Sequence, residues 1–319
     1  MSSSASSKTS STNQLRPSGP TNARALDFPL GRPLAPAATI RRQRALPPGA
    51  ETRVAIGDQV QADQPIAEVE SDGIRSAIRA GFSGRVVDVT LNQRVTIEGT
   101  ATVLQGIVGI GGPAVGTLTV LPRGESLAMV PIPRGGVILF PQQLPLMLIQ
   151  RAVAGGAAGI ITGSVSAREF EGFSRMDLSA ALDGFPLGAV PPPPLTIVVT
   201  EGLGAAPMSS LLVQVLAQRL NTTVYLCGET SIQQAIRPEV IFTPPLSQSA
   251  QPLPLRSTLE PGARVMAWAG AHRGMPAQII QMPQRRHYSE AGLLVPGAIL
   301  RFEDGSTDIV PLHLLDRIG

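Results

Sequence analysis

The chain has 319 residues, of which 26 are basic and 23 acidic, giving a formal charge of +3, and it carries one cysteine. That length suffices for two or three domains with a sizeable core, while the lone Cys227 excludes an internal disulfide and fits a reducing compartment. The single lysine, Lys8, lies in a Ser-rich stretch, which excludes a Walker A lysine, a pyridoxal Schiff base or a lysine-borne cofactor within a folded region.

Residues 1–50 carry seven basic and one acidic residue and residues 51–319 carry nineteen and twenty-two, so the first part is +6 and the remainder −3. Attraction to RNA or another polyanion is therefore expected in the leader rather than in the folded body. Residues 1–40 mix Ser, Thr, Pro and Arg without periodicity and are predicted to form a disordered basic leader. The leader lacks an apolar signal-peptide core, and no stretch approaches the ~20 apolar residues of a membrane span, so a bacterial cytoplasmic protein without a membrane span is expected.

Arg41, Arg42 and Arg44 lead into a predicted β module over residues 41–122. Val54 to Val60 reads as a strand into a Gly57-Asp58 turn, Ile66 to Glu70 as the next strand, and Ser71-Asp72-Gly73 as a tip. Gly84, eleven residues later, opens a further strand through Val86, Val87 and Val89. These spacings resemble the lipoyl or biotinyl carrier domains, whose barrel-sandwich hybrid fold offers a modifiable lysine on a hairpin tip. The resemblance implies that fold for the module, with Gly73 where the carrier lysine would stand. It therefore implies no attached cofactor, because swinging-arm chemistry needs an amine. A small β-barrel built from Gly-Asp turns is the other reading of the same spacings.

Gly109 to Ala114 forms a formal G-x-G-x-x-A, but Pro113, Gly116 and the strand-like Thr117 to Val120 predict a β turn instead of a dinucleotide-binding helix start. Residues 131–243 change period. Val137 to Phe140, Ala158 to Thr162, Leu195 to Thr200, Thr223 to Cys227 and Glu239 to Phe242 read as strands. Pro145 to Ala154 and Met208 to Leu220 read as helices, and Ser166 with Glu169 forms a capping box for a third. The alternation predicts a small α/β domain with a mainly parallel sheet.

A Pro-rich linker is expected over 244–256, and β logic resumes over 257–319 with Arg264 to Ala269, Gln278 to Ile280, and a hairpin through Asp304-Gly305. Pro261-Gly262-Ala263-Arg264-Val265 with Gly270 and Gly274 resembles a KOW or SH3-like small barrel, although Pro276-Ala277 stands where that motif usually has another glycine. The fold class expected for the whole is α+β multidomain: a β barrel-sandwich hybrid, a small α/β domain and a C-terminal SH3-like barrel.

Open α/β sheets take ligands beyond the carboxyl ends of their strands, which here puts Gly163, Ser164, Thr200, Glu201 and Gly202 at the candidate ligand site. The alternative for the same residues is ordinary strand-to-helix turns, with Glu201 pairing an arginine or capping a helix. Arg41, Arg42, Arg44, Arg285, Arg286 and Tyr288 are the nucleic-acid candidates, as phosphate contacts and a base-stacking ring. His272, His287 and His313 lack metal-ligand spacing, there is no G-x-S-x-G, and no catalytic set, metal or cofactor is assigned. The function expected is a non-catalytic binding or scaffold protein with a protein partner or assembly. A nucleic-acid-associated protein and a small-ligand binder or enzyme at the strand ends are the alternatives.

Overall fold

The computed structural model describes residues 34–71, 73–121, 127–174, 178, 194–230, 236–249, 251–252, 259–268, 271–289 and 291–318. The first strand, β1 (Leu34–Ala45), begins inside the stretch expected to be a disordered leader, which shortens that leader: Leu34, Ala37, Ala38 and Ile40 are core residues. The expectation for 1–33 lies outside the described residues. After β1 come β2 (Glu51–Thr52), β3 (Gln59–Val60), β4 (Pro65–Ser71), β5 (Ile74–Arg79), β6 (Gly84–Thr90) and β7 (Arg94–Gln105). Between Arg53 and Asp58 the expected strand is a turn instead, because Asp58 accepts from the Ala55 amide at 2.8 Å and Gly57 takes φ +100°. β2, β4 and β5 form a three-stranded antiparallel sheet, which faces β1, β3, β6 and β7 across a core of Ile40, Val60, Ile66, Phe82, Val86 and Ile97. The module is thus an antiparallel sandwich, and the β4–β5 hairpin turns at an exposed Gly73.

The chain then runs β8 (Val108–Ile110), β9 (Pro113–Val120), β10 (Val137–Leu144), α1 (Leu146–Ala154), β11 (Gly159–Val165), α2 (Ala167–Ser174), β12 (Thr196–Leu203), α3 (Ser210–Ala217), β13 (Thr223–Cys227), β14 (Glu239–Phe242) and β15 (Gln251–Pro252). Gly111 at φ +90° turns β8 into β9, so the formal dinucleotide fingerprint starts no helix. α2 starts directly after Ser166, whose carbonyl accepts from the Phe170 amide at 2.9 Å. β10 to β12 are parallel, as the alternation predicts, and β9, which was expected within the β module, joins them in parallel; α1 and α2 cover one face while α3 covers the other.

One part of that expectation needs correction. β13 and β14 are not members of a parallel sheet: β13 is antiparallel to β9 and to β14, and β14 is antiparallel to β7. They bridge the two regions, giving the continuous order β15-β1-β7-β14-β13-β9-β10-β11-β12-β8. Continuous apolar runs such as Val240–Ile241–Phe242, buried throughout, state that a strand is central but carry no information on its direction or neighbour. The bridging is reflected in packing. Tyr225 and Ile241 complete the sandwich core, whereas Val224, Val240 and Phe242 share the α3 core with Leu34, Leu104, Leu118 and Val198. Within the stretch expected to be a linker, β15 pairs in parallel with β1.

The remaining strands are β16 (Arg264–Ala267), β17 (Pro276–Gln281), β18 (His287–Tyr288), β19 (Leu294–Val295), β20 (Gly297–Phe302), β21 (Thr307–Pro311) and β22 (Leu315–Arg317), with a 3-10 turn over Leu312–Leu314. Five of them form an antiparallel sheet in the order β21-β20-β17-β16-β22. The Asp304-Gly305 hairpin closes as predicted, with Gly305 at φ +83°. This unit is fastened to the large sheet. Ile107 sits in its core, Arg237 pairs with Asp316 and donates to the Leu315 carbonyl at 2.9 Å, and the Trp268 indole donates to Asp316 at 2.8 Å. From the opposite side Leu293 and Val295 reach the α1 and α2 core.

Candidate functional site

The sequence points to the hairpin tip, to the carboxyl ends of β10 to β12 and to the candidate arginines. At the tip, Gly73 takes φ +74°, and a β-carbon built there would have nothing within 4 Å. The position is sterically open to a long side chain, and glycine brings no nucleophile to it. Arg53 bridges Glu51 and Glu68, and Arg75 bridges Glu70, so the neighbouring exposed charges are paired within the sheet. With Arg53 and its partners exposed, such pairs add little to stability.

The strand ends are closed by the chain itself. Gly163 lies in a register irregularity between Thr162 and Ser164, where a β-carbon would come within 2.4 Å of the Met208 amide nitrogen and 3.0 Å of the Pro141 carbonyl oxygen. Those two groups are bonded to each other at 2.8 Å, and the Gly204 amide donates to the Val165 carbonyl at 2.9 Å. The segment entering α3 therefore occupies the crevice. Thr200 is buried and donates to the Thr162 carbonyl at 3.2 Å, and Thr162 donates to the Gln142 carbonyl at 2.8 Å. Ser164 is 1% exposed, and its hydroxyl has no partner among the described residues. Gly202, at φ +104°, faces Ile107 and Leu314.

Glu201 is held by two groups. Its Oε1 accepts from the Ser209 amide at 3.0 Å, and Ser209 Oγ caps α3 by accepting from the Leu212 amide at 3.4 Å. Its Oε2 accepts from Arg273 Nη2, in the connection between β16 and β17. Burial pulls the Arg273 guanidinium below the ordinary arginine range. Glu201 thus both supports a helix start and pairs an arginine, and with its oxygens so engaged it is poorly placed to act as a base.

Beside Glu201 opens a cleft of about 410 Å³, between the end of β12, the β18–β19 hairpin and β21. It contains Glu201 but neither Gly163 nor Ser164, so those three candidates do not converge there. Sequence reasoning missed this cleft, because Leu203, His287 and Asp308 are far apart in the chain and share no local motif.

The arginines divide into two groups. Arg42 makes a bidentate pair with Glu239, both bonds at 2.6 Å, which raises the guanidinium pKa through the Glu239 hydrogen bond. Arg44 is buried, donates to the Arg79 carbonyl at 3.3 Å and lies 5.2 Å from the centre of the Tyr225 ring; burial lowers its pKa and raises that of the Tyr225 phenol. Both of these side chains are thus engaged across β7, Arg42 with Glu239 of β14 and Arg44 against Tyr225 of β13. Arg41, Arg285, Arg286 and Tyr288 are exposed. His272 stacks on Phe302 with centroids 3.9 Å apart, and among the described residues no cluster of three or more His, Cys, Asp or Glu is arranged to hold a metal. No helix among the described residues is long and apolar enough to cross a membrane.

Residues 43–104 match the family model described as biotin-requiring enzyme, so the N-terminal module is lipoyl/biotinyl-like in sequence as well as in strand arrangement. Neither the curated proteins nor the solved structures contain a match to the chain.

Proposed function

We propose that the chain is a non-catalytic binding or scaffold protein that keeps the carrier-type barrel while lacking carrier chemistry. The observation that carries this reading is Gly73 at the open hairpin tip, in a chain whose one lysine is Lys8. Domains of this type act within protein assemblies, and here the barrel shares a continuous sheet with the parallel strands β9 to β12. The C-terminal unit is read as an SH3-like barrel. In its favour are five antiparallel strands in which the last returns to pair the first, with a 3-10 turn just before it. The half-buried free Cys227 fits the reducing cytoplasm we propose for it, and burial pushes its thiol up towards the protonated form.

Co-expression with a biotin ligase and a lipoyl ligase, followed by intact-mass measurement, tests the reading. The expected result is an unmodified wild-type chain and a modified Gly73→Lys variant, the tip having room for the side chain. A cofactor adduct on residues 34–318 of the wild type overturns it. A second reading, binding of RNA or another polyanion, has in its favour the exposure of Arg41, Arg285, Arg286 and Tyr288. Deleting residues 1–33 removes four basic and one acidic residue and takes the formal charge from +3 to 0 without touching β1. Heparin retention is expected to fall with that deletion; unchanged retention would assign the binding to the folded body.

A further inference from the structure

The cleft beside Glu201 has the features of a small-molecule site that the scaffold reading does not use. Its volume of about 410 Å³ lies in the range of pockets that enclose small organic ligands. Leu203, Val295 and Leu314 give it apolar walls, and all three belong to packed cores, so the shape is set by the fold rather than by loose surface chains. The polar side is chemically one-sided. Among the described residues the lining carries the carboxylates of Glu201 and Asp308 and no lysine or arginine. Arg273 already answers the charge of Glu201, which leaves Asp308, with a side chain 47% exposed, as the source of net negative charge; the imidazole of His272 lies 4.0 Å from it.

His287 also lines the cleft, beside Tyr288 and Ser289 of the same hairpin. An anion would face the unneutralised carboxylate of Asp308 there. A positively charged group would meet Asp308, while its apolar stem lies on the leucine and valine walls.

We propose that this cleft binds a small organic cation, an ammonium group on a compact apolar stem. The site does not depend on the scaffold reading, and the ligase experiment above leaves it untouched. Phenethylammonium is the probe, with 3-phenylpropionate as its charge-inverted counterpart and phenethyl alcohol as the neutral one, titrated into the full chain and followed by NMR. Saturable phenethylammonium binding with a Kd in the millimolar range is expected, as befits so few heavy atoms, with 3-phenylpropionate bound at least about tenfold more weakly. Two changes on the edge strand β21 report on the site. Asp308→Asn keeps the Oδ1 acceptor used by the Ile309 amide and is expected to weaken the cation about fivefold while leaving the alcohol unchanged. Ile309→Arg, at a position 41% exposed, brings a like charge to the cleft and is expected to abolish cation binding without loss of fold. Equal binding of the anion, absence of saturation by the cation, or indifference of cation binding to both changes would overturn the proposal. The comparison of the three probes on the wild type decides it even if a variant unfolds.

Discussion

Gly73 and Gly163 occupy the two places where proteins of these architectures usually do their work, and they are glycines for opposite reasons. Around Gly73 there is space, and what is missing is a chemical group: a β-carbon there meets nothing within 4 Å. Around Gly163 the polar groups are plentiful and the space is missing, because the backbone of Pro141 and Met208 closes on it. One position thus lacks a reactive atom and the other lacks space, and a single substitution can supply only the first.

The comparison can be broken most forcefully at Glu201. If the strand ends are filled structure, Glu201→Gln deprives the part-buried Arg273 of its counter-charge and is expected to cost about 3 kcal/mol by denaturant unfolding. It should be coupled to Arg273→Ala by more than about 1 kcal/mol in a double-mutant cycle. A near-neutral Glu201→Gln that changed a binding property would instead make the carboxylate functional.

The glycines themselves give the next largest effect. Gly163→Ala has to displace backbone and is expected to lose about 2 kcal/mol. Gly73→Ala meets no atom and pays only for its left-handed φ, about 1 kcal/mol. Equal losses at the two positions would erase the distinction drawn between them.

The smallest effect is expected at Ser164. Its hydroxyl is buried and unpartnered among the described residues, so Ser164→Ala removes a polar group that has nothing to lose. Stability is expected to stay level or rise by about 0.5 kcal/mol, read as an unchanged or higher thermal midpoint. A loss of more than about 1 kcal/mol would mean that the hydroxyl is satisfied by a bound molecule at the strand ends.

The sequence by itself determined the local pieces: the β4–β5 hairpin and its lysine-free tip, the β8–β9 turn, the start of α2 after Ser166 and the Asp304-Gly305 hairpin. Each depends on residues a few positions apart, where turn geometry, capping and periodicity act directly. It also contained the two structural roles weighed for Glu201, because Ser209 follows within eight residues, but the identity of Arg273 as its partner came from the fold. Only the tertiary structure decided that β13 and β14 run antiparallel and join the barrel to the parallel strands, that Arg42 meets Glu239, 197 positions away, and that β12, β18 and β21 enclose a cleft. The reason is physical: a buried strand's side chains are apolar on both faces whichever way it runs, and ion pairs and clefts arise from chain crossings that leave no periodic mark in the sequence.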